Sequence, residues 1–517
     1  MSIRVRPAGL AVAAALVAGL VTGCDGGGGG TPGGTDGGTG RTSAGAPMAS
    51  LPAALTGQKP DWRGCEAPRG AEEPGPEWRC ATVRVPLDYA KPGGATLPIA
   101  LIRKEARHKD RRIGSLLFNF GGPGASGVTA MPQAAEQFEE LGSRYDLVGF
   151  DPRGVDRSSG VVCRDNEEQA ASVARIDLTP DTPAEEAAFL ADGAAFGAGC
   201  AKRSGTVIRH VTTTNTARDL DLVRYVLGDD KLHYMGFSYG TQLGGTYAHL
   251  FPRNVGRTVL DAVVDPTADT AGHARNQAIG FQRALNNYFA STGEGAAAGN
   301  ARVTALLERL DRAPLPAADG RELTQSLALT GIAQTLYSER MWSYLTEGLK
   351  EAEGGRGDAL LRLADMYNGR GEDGTYDTRA HSQRAISCAD SSSRPTAAEA
   401  KALLPEFRRI SPVFAEFMAW DTAGWCADWP VKGESATPET SAPGAGPILV
   451  VGTTGDSATP YEGAKKMADE LGAGVGVLLT FKGEGHGAYT GDNRCVRDTV
   501  NAYLLEGKVP PNGTTCS

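Results

Sequence analysis

The chain has 517 residues, a formal net charge of −9, 41% hydrophobic and 22% charged residues. That much apolar material excludes a disordered chain, and the acidic balance argues against a nucleic-acid binder, which needs a basic face. No run of 18 apolar residues is present to form an ordinary membrane-spanning helix, and the length suits one large core plus a second unit.

The N-terminus reads as an address followed by a tether. Arg4 and Arg6 precede an apolar run over 8–21, which ends in Val21-Thr22-Gly23-Cys24. This is the pattern of a signal peptide over 1–23. Small residues before a Cys resemble the bacterial lipobox, so Cys24 is the expected lipidation site, placing the protein outside the cell and anchored to the membrane surface. Residues 25–40 contain ten Gly, and residues 24–60 are expected to be a flexible linker. Random-coil scaling gives such a linker a reach of roughly 30–35 Å.

Nine cysteines fit export. With Cys24 lipidated, eight remain, an even number for an oxidising compartment. Spacing favours sequence-local pairs: Cys65–Cys80, Cys163–Cys200, Cys388–Cys426 and Cys495–Cys516. No CxxC or Cys/His metal spacing is present, and no metal or cofactor is expected.

From residue 61 onward an α/β rhythm begins. Strands are predicted over 82–87, 97–103, 114–120, 145–150, 232–237, 258–264, 447–451 and 475–481. Helices are predicted over 213–227, 238–250 and 461–471, with a closing helix over 498–505. Apolar runs alternating with helices predict a mostly parallel sheet covered on both faces. The rhythm changes between 266 and 446. There, amphipathic patterns predict helices over 274–288, 303–310, 323–336, 342–353, 359–367 and 397–404. The expected organisation is a core over 61–265 and 447–517, with a mainly helical cap inserted over 266–446.

The candidate chemistry lies just past strand ends. Gly236-Phe237-Ser238-Tyr239-Gly240 joins a strand to a helix. A nucleophile on so sharp a turn needs Gly on both sides, because a side chain there would strike the strand or helix. Gly121-Gly122-Pro123-Gly124 follows another strand and offers a backbone N–H for an oxyanion, with Gly122 and Tyr239 the candidate donors. Asp456 follows the strand over 447–451, and His486 sits thirty residues later between two Gly. The order Ser…Asp…His is that of α/β-hydrolases. In these roles Ser238 attacks, His486 takes and returns its proton, and Asp456 orients the ring. Asp151, Arg153 and His233 are read as structural, and Lys465-Lys466 as a solvated helix face.

Phe120-Gly-Gly-Pro-Gly, Gly-Phe-Ser238-Tyr-Gly-Thr, the Asp456 loop and Gly-His486-Gly together resemble the exported tripeptidyl aminopeptidases of the α/β-hydrolase fold, relatives of prolyl iminopeptidases. The stretches 145–158 and 260–266 share the resemblance, which runs from about Trp62 to the C-terminus. Prolyl iminopeptidases usually carry His where this chain has Phe120. The resemblance implies release of short peptides or single residues from free N-termini, with Ser238, Asp456 and His486 as the triad. Such an activity needs an acid for the substrate ammonium, and Asp390 and Asp428, near Cys388 and Cys426, are the candidates. Trp420, Trp425 and Trp429 are read as core. An esterase with the same triad is the alternative, and a non-catalytic binding lipoprotein on a hydrolase scaffold is the second alternative.

Overall fold

The computed structural model describes residues 50–67 and 73–517. The signal peptide, Cys24 and most of the linker lie outside the described residues. Residues 50–60, assigned to the linker from composition, are folded. Leu51 and Leu55 are buried in the main core, and the Gln58 side chain hydrogen-bonds both the N–H and the C=O of Arg84. Two Leu at helical spacing in Leu51-Pro-Ala-Ala-Leu55 are enough to dock this segment, so the spacer is shorter than composition suggests.

Eleven strands are present among the described residues: β1 (Trp78–Pro86), β2 (Thr96–Lys104), β3 (Gly114–Asn119), β4 (Tyr145–Phe150), β5 (Leu232–Phe237), β6 (Val255–Asp261), β7 (Leu315–Pro316), β8 (Glu322–Leu323), β9 (Ile448–Gly455), β10 (Gly476–Glu484) and β11 (Thr514–Cys516). Nine of them form one sheet in the order β1-β2-β4-β3-β5-β6-β9-β10-β11. β1/β2 and β2/β4 pair antiparallel, and the remaining pairs are parallel. Neighbouring residues alternate between two buried layers. Leu117, Tyr234, Leu260 and Val450 face one core cluster, while Leu116, Met235, Val259 and Leu449 face the other. That two-sided burial is why these strands read as continuous apolar runs.

Between β6 and β9 the regular elements are helices apart from the short β7/β8 pair, and they have their own core around Phe281, Leu285, Ile332 and Phe414. The helical layer also draws on a second part of the chain. Helices Asn166–Arg175 and Pro183–Ser204, inside the expected core range, join it: Phe189 packs edge-on against Trp420, and Lys401 pairs with Glu186. Both helices begin with capping boxes, at Asp165/Glu168 and Thr182/Glu185, a signal that a search by apolar periodicity passes over. Helices Arg379–Asp390 and Ala415–Gly424 likewise have no simple amphipathic stripe, because both are buried on several sides. Among the described residues four disulfides join Cys65–Cys80, Cys163–Cys200, Cys388–Cys426 and Cys495–Cys516.

Candidate active site

β5 ends at Phe237, and the chain turns into the helix Tyr239–Leu250 through Ser238, at φ 56° and ψ −125°. A non-glycine residue at positive φ costs about 1–3 kcal/mol and persists only when its surroundings over-determine it. Here they do. Ser238 N–H donates to the Asp261 carbonyl (3.1 Å), and the Ser238 carbonyl accepts from Thr241 N–H (2.8 Å) and Oγ1 (2.6 Å). A Cβ on Gly236 would lie 2.3 Å from the Gly240 carbonyl oxygen, and one on Gly240 would lie 2.7 Å from the Asn119 carbonyl oxygen. Both glycines of the pattern are therefore required by close backbone approach. The Ser238 hydroxyl is buried and makes no hydrogen bond.

β3 and β5 run side by side, with Asn119 opposite Gly236, so the glycine turn after β3 meets the serine turn. A Cβ on Gly121 would lie 2.8 Å from Ser238 Cβ. Gly121 N–H is held by Asn119 Oδ1 (3.0 Å). Gly122 N–H carries no hydrogen bond among the described residues. Tyr239 opens its helix, so it has no earlier turn to donate to. Two unclaimed N–H groups thus lie on the two turns that meet here, one next to Gly121 and one next to Ser238, as an oxyanion site requires.

Asp456 is fully buried after β9, and its carboxylate is heavily engaged. Oδ1 accepts from Ala458 N–H (3.0 Å) and Thr459 N–H (2.8 Å), and Oδ2 from the Thr459 hydroxyl (3.0 Å). His486 Nδ1 stands 2.9 and 3.1 Å from the two oxygens. A ring nitrogen facing a carboxylate carries the proton, which leaves Nε2 bare and able to accept. His486 N–H donates to the Tyr337 carbonyl (2.8 Å), and the Tyr337 ring packs edge-on against the imidazole at 5.4 Å. The helical layer therefore touches the histidine directly.

One residue with a place in this site was named in the sequence only as part of a family-like stretch. Asp261, at the end of β6, is fully buried. Its carbonyl holds Ser238 N–H, and its carboxylate accepts from Ala488 N–H (3.0 Å) and Tyr489 N–H (2.8 Å), just past His486. It ties the serine turn to the histidine loop. Burial pushes its carboxyl up to about 6 against the pull of these N–H groups. A carboxylate at the end of a parallel strand was the available signal.

The remaining candidates divide. Asp390 lines a cavity of about 610 Å³ that also touches Pro123, Tyr239 and Thr459. Its carboxylate is already occupied by Thr213 N–H (2.7 Å) and Oγ1 (2.6 Å), and burial raises it to about 7. Asp428 is exposed on a positive-φ turn and does not line that cavity, so the Cys388–Cys426 bridge does not bring the two acids together as the sequence suggests. Arg153 and Asp151 brace turns. Arg153 forks onto Asp219 (2.7 and 2.6 Å) and three carbonyls, while Asp151 accepts from Ser126 Oγ and Val128 N–H. His233 is interior, and burial lowers it to about 4. Trp420, Trp425 and Trp429 pack in core clusters. Lys466 is not simply solvated, since it pairs with the buried Asp265 at 2.7 Å.

Sheet order and crossovers make this an α/β-hydrolase, and a serine at the β5 turn, where a carboxylate would signal other chemistry, makes it a serine hydrolase. Residues 411–516 match the family model of TAP-like proteins. The chain is 37% identical to serine protease Hip1 of Mycobacterium tuberculosis over 486 residues, covering 89% of this chain and 91% of that protein. It is 36% identical to carboxylesterase B of the same organism, over 85% of this chain and 86% of that protein. It is 31% identical to tripeptidyl aminopeptidase of Streptomyces lividans, over 92% and 90%. The chain belongs to the TAP-like family of α/β-hydrolases.

Proposed function

We propose that the protein is an exported, lipid-anchored serine exopeptidase that releases short peptides from free N-termini through an acyl-enzyme. The observation that supports this reading is a serine hydroxyl held at positive φ with no hydrogen bond of its own, in a chain that also orients an imidazole on a buried carboxylate beneath a helical layer. A serine hydroxyl is too weak an acid to attack at neutral pH. His486 Nε2 takes the proton as Ser238 Oγ bonds to the scissile carbonyl carbon. Asp456 holds the tautomer and stabilises the imidazolium. Gly122 and Tyr239 N–H groups receive the oxyanion, each such donor being worth about 2.7–4 kcal/mol. His486 then protonates the leaving amine, and water repeats the sequence in reverse to free the acyl group. Export rests on the signal-like 1–23 and Cys24, and four disulfides suit an oxidising compartment.

The test is a mass-spectrometric time course on a defined peptide with a free or an acetylated N-terminus. Sequential loss of short N-terminal fragments from the free form alone supports exopeptidase action, and equal cutting of both forms refutes it. Esterase action on carboxylic esters is the second reading, favoured by the carboxylesterase B relative. Chromogenic Ala-Ala-Pro amides assayed beside short acyl esters separate the two, since turnover of esters alone selects the second. A phosphonate that fails to label Ser238 in the folded protein removes both.

A further inference from the structure

One helix of the helical layer, Arg379–Asp390, meets both turns that carry the unclaimed N–H groups. Its start abuts the glycine turn after β3. A Cβ on Gly124 would lie 2.6 Å from the Arg379 carbonyl oxygen and 3.0 Å from the Gln383 nitrogen, so only glycine fits between helix and turn. Close by, the Ser382 hydroxyl donates to the Gly154 carbonyl (2.7 Å). The start of the helix therefore rests on the turn that holds Gly122.

Its last residue reaches the serine turn through a relay. Asp390 accepts from Thr213 N–H (2.7 Å) and from the Thr213 hydroxyl (2.6 Å). Thr213 Oγ1 lies 2.5 Å from the Tyr239 hydroxyl, and Thr213 and Tyr239 are both buried. A carboxylate only accepts, so the Thr213 proton points to Asp390 and Thr213 Oγ1 accepts from the Tyr239 O–H. Tyr239 follows Ser238, and its main-chain N–H is one of the two unclaimed donors. The outer end of the relay is itself anchored. Cys388, two residues before Asp390, is bridged to Cys426, and the Asp390 carbonyl accepts from Ser435 N–H (3.0 Å).

A tyrosine held at Cα by its helix and at Oη by a buried hydrogen bond keeps little freedom between them. Ser238 sits at positive φ, a conformation that only its surroundings maintain, and its main-chain partners Asp261 and Thr241 both belong to the sheet side of the molecule. The Tyr239 side chain adds a hold from the helical layer. We propose that the helix Arg379–Asp390 sets the oxyanion site, with Asp390 and Thr213 as positioning residues that fix Tyr239 N–H in place. The proposal rests on the reading of Tyr239 and Gly122 as oxyanion donors. It gives Asp390 a role that needs its geometry and not its charge. In Asp390→Asn, Oδ1 still accepts Thr213 N–H and the new NH2 donates to Thr213 Oγ1. The Thr213 hydroxyl then donates to Tyr239, whose own proton turns to the cavity that all three residues line.

The test uses Thr213→Val, Thr213→Ser, Tyr239→Phe and Asp390→Asn in the full chain. Each is assayed on p-nitrophenyl acetate and for inhibition by an aliphatic trifluoromethyl ketone, whose tetrahedral adduct with Ser238 places a charged oxygen in the oxyanion site. Thr213→Val removes the hydroxyl and keeps the shape. It should lower kcat about 10- to 100-fold, less than the roughly 10²–10³ of a donor removed outright, with KM within about threefold. The inhibition constant of the ketone should rise by about the same factor, because oxyanion contacts act on the transition state and its analogues. Tyr239→Phe should match it, and the double variant should fall no further, since both break one hydrogen bond. Thr213→Ser and Asp390→Asn should stay within about threefold of wild type. A kcat within about threefold of wild type in Thr213→Val and Tyr239→Phe overturns the proposal. So does a fall in kcat that leaves ketone binding unchanged, which is what a merely structural role gives, and so does a loss in Thr213→Ser or Asp390→Asn equal to that in Thr213→Val. Should Thr213→Val not fold, Tyr239→Phe, which keeps the ring, decides alone. A wild type that turns over no ester overturns the hydrolase reading, and the oxyanion role with it.

Discussion

Asp261→Asn separates holding the fold from holding the site. The substitution keeps shape and removes a charge. Two effects oppose each other in stability. Keeping this carboxylate ionised in the interior, where its pKa rises from the usual 3.8 to about 6, costs roughly 3 kcal/mol at neutral pH, and Asn removes that cost. Asn keeps one acceptor, which in the Oδ2 place still meets Tyr489 N–H and Ala488 N–H, but its NH2 then faces Ala488 N–H where Oδ1 had accepted at 3.0 Å. Setting donor against donor in the interior costs about 1–3 kcal/mol. The two nearly cancel, so the melting temperature should move by only a few degrees. Activity should not cancel. The loop that carries His486 exchanges one of its three carboxylate contacts for a repulsive one, and a displacement of about 1 Å at a catalytic group costs roughly 10²-fold. Steady-state kinetics on an activated ester should show kcat down about 10²-fold with KM within about threefold. A kcat within threefold of wild type would refute the claim that Asp261 positions the histidine loop.

Other substitutions probe the rest of the site. Asp456→Asn should lower kcat by about 10⁴-fold with little change in KM, because the wrong imidazole tautomer is favoured, and stopped-flow ester hydrolysis would read it. Gly240→Ala drives a Cβ to within 2.7 Å of a main-chain oxygen and should lower both melting temperature and kcat, whereas Gly446→Ala, with open space around it, should change neither. Asp151 is held at about 7 by burial, above its unfolded value, so it binds more protons folded than unfolded. The stability it contributes is complete below about pH 4 and is lost as pH rises through about 7. Urea titrations of wild type and Asp151→Asn across that range should therefore converge or cross as pH rises, and a constant difference would refute the assignment.

Much of the core was legible in the sequence because its signals are local. Short apolar runs ending in Gly or Asp mark parallel strands, since both faces are buried and the chemistry sits at the carboxyl ends. Ser238 was legible because close backbone approach admits only glycine two residues to either side. The helices Asn166–Arg175 and Pro183–Ser204 escaped periodicity, and only their capping boxes announced them. Membership of the helical layer was not local information, because those two helices are separated from the rest of it by β5 and β6.

The sequence alone determined the strand-end positions of Ser238, Asp456 and His486, since turn sterics and chain order are written in neighbouring residues. Tertiary structure alone decided which interior acids have partners. Asp390 meets Thr213, 177 residues earlier, and Asp261 meets the histidine loop, 227 residues later. Whether a buried charge is matched depends on what distant segments bring to it, and no window of sequence contains that.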